Sequence, residues 1–376
     1  MRPRVCIIQP VMKQYRLPFF LRLREQLAGA GIDLQVVYGT PWAEERERGD
    51  HAELPFPWGQ KVESRMLFGK LFWMPVFTPW VTADLVVVEH ANKHVLNYPL
   101  AVLARLGLKR MAYWGHGRDR QTRPDSWGER YKRRSLHWAD WWFAYTEDAA
   151  AYVADQGYSQ MRITVVQNAV DTRELRETLA AVTDAERAAL MHTLGWAADS
   201  QVAIYCGSLY ENKRLDWLMA AADAVHARHP DFCLLIAGGG PLADRVREYA
   251  EARPWVHAAG PRFGRDKAVL LSLACMWLNP GLVGLGVLDA FCASLPFLTT
   301  RIEGHGPELT YLQHEGNCLI SEPNPNAFAE TIESLLNNPE RLARMRSEAE
   351  AASHRYSIEA MVDNFAQGVK TCLSRS

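Results

Sequence analysis

The stretch CMWLNPGLVGLGVLDAF, residues 275–291, decides the reading of this chain. It opens as a short apolar run of the kind that forms a buried strand. Glycines 281, 284 and 286 follow, and aliphatic residues at helical spacing take over. A strand that turns through glycines into a helix exposes backbone N–H groups at the positive end of a helix dipole. The only acid in the stretch is Asp289. A carboxylate among apolar residues is rarely fully buried unless something pairs with it. Hydroxyl groups of a ligand could be that partner, since a carboxylate accepts two hydrogen bonds from adjacent hydroxyls. The plain alternative is a solvated helix edge.

Working outward, the same alternation recurs. RVCIIQ, LQVVYG, DLVVVEH, RMAYWG, WWFAYT and ITVVQN are short runs rich in β-branched and aromatic residues, with helix-period stretches such as 17–28 and 95–106 between them. After about residue 180 the pattern restarts with VAIYCG, FCLLIAGGG and CMWLNPG as strands, and LDWLMAAADAVHAR and LADRVREYAEAR as helices. Residues 325–373 read as three helices. Strand–helix alternation implies parallel sheets covered on both faces. Two series imply an α/β protein of two doubly wound domains, as the 376-residue length also suggests. The expected bounds are 1–172, 173–355 and a last helix, 356–376, packing back on the first domain.

Composition is that of a globular chain, 48% hydrophobic and 23% charged, with net charge −1. No general affinity for nucleic acid follows. Residues 1–172 hold 23 Lys and Arg against 18 Asp and Glu, which leaves 19 against 25 for the remainder. A basic first half and an acidic second half suggest different partners. The seven cysteines are scattered with no C-x-x-C, which fits a reducing cytoplasm. The N-terminus enters a strand without the apolar core of a signal peptide, and no apolar run is long enough to span a bilayer.

Ligands of such sheets sit at the carboxyl ends of strands. CGSLYENKRLD, residues 206–216, follows a strand, opens a helix, and carries Lys213, a cation placed to neutralise a phosphate. AGGGP, residues 237–241, follows the next strand. Its spacing matches neither the dinucleotide fingerprint nor the P-loop, and a tight turn explains it equally well. No D-x-D pair exists for a metal–diphosphate clamp, so no metal site and no cofactor are expected.

The order of these pieces resembles the retaining glycosyltransferases of glycosyltransferase family 4, whose GT-B fold sets two Rossmann-like domains across a cleft. QNAVD (167–171) is similar to the family's N-G-V-D, GSLYENKRLD to G-R-L-x-x-x-K-G-x-D, and IAGGGP to I-x-G-x-G-P. Residues 279–296 resemble S-x-x-E-G-F-G-L-x-x-L-E-A-M-A-x-G-x-P, and EGHGPELTYLQHEGNCLI resembles G-G-x-x-E-x-x-x-x-G-x-x-G-x-L. The resemblance implies transfer of a sugar from a nucleotide sugar, such as a UDP- or GDP-sugar, to an acceptor hydroxyl in bacterial polysaccharide, lipopolysaccharide or glycolipid assembly. It implies that Gly207, Ser208, Lys213, Gly239, Arg262 and Asp289 bind the nucleotide. Gly281, Leu282, Val283, Gly284 and Leu285 would bind the donor sugar. Two departures stand out: Ser208 replaces the family's arginine, and Gly281 replaces the first of its two signature glutamates.

In the first domain YWGHGRD (113–119) is similar to a family segment ending in His-Gly. The resemblance places His116 beside the transferred sugar and makes it, with Lys213, a catalytic residue. A lone histidine at a strand end is otherwise a structural or surface residue. Tyr15, Arg16 and Arg118 are the candidate acceptor contacts. Residues 56–81 and 118–142 mix aromatics with Lys and Arg. That mixture suits an anionic membrane surface or a lipid-linked saccharide acceptor, or equally a solvated helix face with tryptophans in the core. Two other functions stay open: binding of a nucleotide sugar without turnover, and nucleotide-sugar 2-epimerisation.

Overall fold

The computed structural model describes residues 2–42, 46, 51–76, 81–117 and 127–375. The chain divides into two compact units, Met1–Asp171 with Ile358–Ser376, and Thr172–Ser357. The breaks thus fall at 171/172 and 357/358, against the expected 172/173 and 355/356.

Unit 1 holds the strands β1 (Arg4–Gln9), β2 (Asp33–Gly39), β3 (Gly59–Val62), β4 (Arg65–Leu67), β5 (Leu71–Trp73), β6 (Leu85–Glu89), β7 (Arg110–Gly115), β8 (Trp141–Ala144) and β9 (Ile163–Val165). Seven of them form one sheet in the order β3-β2-β1-β6-β7-β8-β9, and β4 pairs with β5 as a separate two-stranded sheet. Every pairing in the large sheet is parallel. Such strands are covered on both faces, which is why they read as continuous apolar runs. The helix Leu17–Gly29 carries Pro18 in its first turn and buries Phe19, Phe20, Leu23 and Leu27 against this sheet's side of the core.

The last helix, Ile358–Ser374, belongs to unit 1. Its Phe365 ring stacks on Phe143 of β8 at 4.1 Å. A Cβ at Gly368 would come within 2.6 Å of Phe143 and Thr164, so only glycine lets the helix lie this close. Arg110 donates to the terminal carbonyls of Cys372 and Leu373, closing the helix end. Burying Phe365 alone contributes about 1.5–3 kcal/mol.

Unit 2 repeats the plan with β10 (Gln201–Cys206), β11 (Phe232–Ala237), β12 (Val256–Gly260), β13 (Met276–Leu278), β14 (Phe297–Thr300) and β15 (Cys318–Ser321) in the all-parallel order β12-β11-β10-β13-β14-β15. The helix Leu215–Arg228 turns Leu215, Leu218, Met219, Ala222 and Val225 to the core, the 3.6-residue period of a covering helix. In each sheet the direction of winding reverses once, between β1 and β6 in unit 1 and between β10 and β13 in unit 2. A doubly wound sheet opens a crevice at that reversal, beyond the carboxyl ends of the two strands.

Candidate functional site

In unit 2 the loops beyond β10 and β13 flank the reversal, and they are clasped together. The turn Glu211–Lys213 lies across Gly281: a Cβ there would sit 2.3 Å from the carbonyl carbon of Lys213 and 2.4 Å from Asn212 O. Leu282 N–H donates to Asn212 O at 2.9 Å. Lys213 Nζ donates in turn to Leu282 O. Gly281 does not have a left-handed φ. What it supplies is the absence of a side chain where two backbones cross, so the missing glutamate is excluded sterically.

Beside this crossing lies a cavity of about 190 Å³. Gly207, Ser208, Lys213, Gly284 and Leu285, all expected from sequence, line it together with Cys206, Trp277 and Asn279. Burial pushes the Lys213 ammonium below the ordinary lysine pKa, against the pull of the Glu308 carboxylate. Two neighbours hold the floor. His305 Nδ1 accepts from Val283 N–H at 3.1 Å, and its Nε2 lies 2.9 Å from Thr300 O. Asn279 Nδ2 donates to Leu282 O at 3.3 Å.

Asp289 has a protein partner. Lys267, on the adjacent helix Gly264–Leu273, places Nζ 2.8 Å from Asp289 Oδ2. Burial lowers the Lys267 pKa, but the charge of Asp289 and its hydrogen bond outweigh that, and the net shift is upward. The thiol of Cys206, on the cavity wall, senses both charges, and burial raises it to about 11. Lys267, His305 and Glu308 carried no sequence assignment. Glu308 sits at the acid of the G-G-x-x-E resemblance, which was the available signal. Nothing in the sequence marked Lys267.

Gly239 and Arg262 stand outside the group around the cavity. A Cβ on Gly239 would touch Pro261 at 3.0 Å, and exposed Arg262 donates to Pro261 O. The triple glycine is foremost a packing device. A Cβ on Gly238 would fall 1.8 Å from Gly207 O, and Leu209 N–H donates to Gly239 O at 2.9 Å. The loop after β11 thereby supports the loop after β10.

In unit 1 half-buried His116 follows β7, its ring 4.3 Å from that of Tyr145. Arg16 is buried, its guanidinium 4.8 Å from the Trp114 centroid and 5.3 Å from Tyr145. Tyr145 therefore links the two expected residues, a connection absent from the sequence reading. Tyr15 is exposed. Arg118 lies outside the described residues. Within 128–142, Trp141 and Trp142 are buried and Trp138 is half-buried.

Residues 19–174 match the family described as Glycosyltransferase Family 4, and residues 200–338 match that described as Glycosyl transferases group 1. The chain belongs to glycosyltransferase family 4. Among curated proteins, the chain is 29% identical over 161 residues to the GDP-mannose-dependent alpha-(1-6)-phosphatidylinositol dimannoside mannosyltransferase of Mycobacterium tuberculosis. That alignment spans 41% of this chain and 41% of the relative. Among solved structures it is similar to Anabaena HepE in complex with UDP, with TM-score 0.66 and 16% identity over 98% of this chain and 99% of the other. It is also similar to a putative UDP-N-acetylglucosamine 2-epimerase from Listeria monocytogenes, with TM-score 0.64 and 16% identity over 100% and 98%. At these identities the structural likenesses establish the GT-B fold alone. No helix among the described residues is long and apolar enough to cross a membrane.

Proposed function

We propose that this glycosyltransferase moves a sugar from a nucleotide-sugar donor to an acceptor hydroxyl with retention at the anomeric carbon. The observation that carries the reading is Lys213, half-buried beside a cavity at the reversal point of the unit 2 sheet and tied to the loop that follows β13. A partly desolvated ammonium there favours a diphosphate more than an exposed one would, because less water competes for the charge. It stabilises the diphosphate most as that group departs and its charge grows, which is electrostatic preorganisation. Asp289, oriented by Lys267, accepts the ribose hydroxyls. The backbone of 281–285 holds the sugar in place of the missing glutamate side chain. His116 orients the reacting groups, and the acceptor is a saccharide or lipid-linked saccharide in polysaccharide or glycolipid assembly. The likeness to a mannosyltransferase dependent on GDP-mannose and to a UDP complex supports a UDP- or GDP-sugar.

The test is incubation of the full chain with UDP- and GDP-sugars and short saccharide acceptors, with products read by mass spectrometry and the anomeric configuration by NMR. Transfer with retention and release of nucleoside diphosphate are expected. An epimerised nucleotide sugar without transfer would contradict the proposal, as would binding with no product.

A further inference from the structure

The hairpin of β4 and β5 leaves unit 1 beyond the carboxyl end of β3. It runs antiparallel, with Arg65 opposite Trp73 and Met66 opposite Phe72. Its turn is Phe68–Gly69, both with left-handed φ, +52° and +66°, closed by Lys70 N–H donating to Leu67 O at 3.1 Å. Such turns strongly prefer Asn-Gly or Gly-Gly. A bulky residue at φ > 0 is an outlier. Phe68 gains nothing from the fold in exchange: its side chain is 93% exposed, and a Cβ on adjacent Gly69 would meet no atom within 4 Å. Strain held at an exposed position points to a role outside the fold.

The base of the hairpin is fixed where the tip is free. Phe72 is buried between the rings of Trp42 at 6.0 Å and His94 at 5.3 Å. Its N–H donates to Lys93 O at 2.7 Å, and its carbonyl accepts from Val95 N–H. Around the tip, Met66 and Leu71 are exposed apolar residues, and Arg65 and Lys70 are exposed cations. The nearby acid, Glu63, pairs with Arg65 at 3.3 Å across solvent, which neutralises it weakly.

We propose that this hairpin is a finger that inserts Phe68 into the interface of an anionic bilayer. Its size separates a membrane from a protein partner. A stable protein interface buries about 800 Å² on each side, far more than the tip of a short hairpin offers. A bilayer accepts one aromatic ring at headgroup depth, with aliphatic neighbours following and cations meeting the lipid phosphates. The finger stands at the same end of the unit 1 sheet as Tyr15, Arg16 and His116, the end where a lipid-linked acceptor would be presented. The inference deepens the proposed acceptor class but is tested without donor or transfer.

The test is co-sedimentation of the full chain with phosphatidylcholine vesicles with and without phosphatidylglycerol. Binding should require the anionic lipid and weaken with salt. Phe68→Asn relieves the turn, so its melting temperature should equal or exceed that of the parent, while its partition falls about tenfold, the scale of one apolar side chain withdrawn from water. The control is Leu108→Ser, at an exposed site before the amino end of β7. Failure of the parent to bind anionic vesicles would overturn the finger. So would unchanged partition of Phe68→Asn, or loss of binding in Leu108→Ser instead. Vesicle-free self-association abolished by Phe68→Asn would assign the tip to a second copy of the chain and equally overturn it.

Discussion

Lys267 holds Asp289: Nζ lies 2.8 Å from Oδ2, bridging two helices near the cavity wall at Cys206. The carboxylate in the apolar run is therefore paired before any ligand arrives. One oxygen is committed to Lys267, and the pair's direction sets where the other can point. If that arrangement presents the carboxylate to ribose, Asp289→Asn should weaken nucleoside diphosphate binding by about 1–2 kcal/mol, the scale of the charge-assisted part of the bonds. Lys267→Met should weaken it as well, and the double variant should cost less than the two single losses added. Calorimetric titration of all four proteins measures this. Strict additivity would show that Lys267 does not act through Asp289.

Lys213 gives a pH signature. Its pKa is lowered by burial, so it loses its proton at a lower pH than an ordinary lysine. The ammonium is the form that attracts a diphosphate, hence affinity should be full at low pH and fall as pH rises through the lowered value. Lys213→Ala should cost about 1–3 kcal/mol at neutral pH. Lys213→Arg does not titrate in this range, so its binding should stay flat with pH even if weaker at every pH. Parallel profiles for the parent and Lys213→Arg would remove Lys213 from the diphosphate.

Gly281 makes a steric prediction. Even Gly281→Ala brings a Cβ within 2.3 Å of the Lys213 backbone. The cost should be about 1–3 kcal/mol of stability, the usual range for an overpacked site. Nucleotide affinity should fall with it, because the displaced turn carries Lys213. Gly281→Glu, which restores the family's acid, should behave no better. A Gly281→Glu variant with unchanged melting and unchanged affinity would contradict the backbone crossing.

His116 belongs to unit 1, whereas the residues assigned to the nucleotide belong to unit 2. His116→Ala should therefore lower turnover much more than nucleotide affinity, as expected of a group that acts in the reacting complex. Equal losses in kcat and in nucleotide binding would give it a structural role through Tyr145.

Central strands and long helices were legible in the sequence because burial on both faces writes itself as an apolar run and a covered helix as a 3.6-residue period. RVCIIQ, VAIYCG and FCLLIA appear in the structure as β1, β10 and β11. Edge and short strands such as GQKV, VHAAG and CLIS escaped notice, since polar and small residues there carry no pattern. The position of Lys213 after β10 could be read from strand–turn–helix order alone. Lys267 could not: it lies 22 residues before Asp289, and only the tertiary fold brings them together. Gly281 is ambiguous in the sequence for a related reason. A glycine in a string can signify a turn or a close approach, and the approaching chain comes from 212–213. Tryptophans beside basic residues in 128–142 fit a surface and a core equally well as a pattern, and only the fold shows that Trp141 and Trp142 fill the core.

Hydrogen–deuterium exchange of the full chain, with and without UDP or GDP, tests the central claim most directly. The account predicts slowed exchange on nucleotide binding in two segments of unit 2, residues 206–214 around Lys213 and 279–289 up to Asp289. Lys213→Ala should diminish that protection. Binding that leaves both segments unprotected, or that protects unit 1 alone, would contradict it.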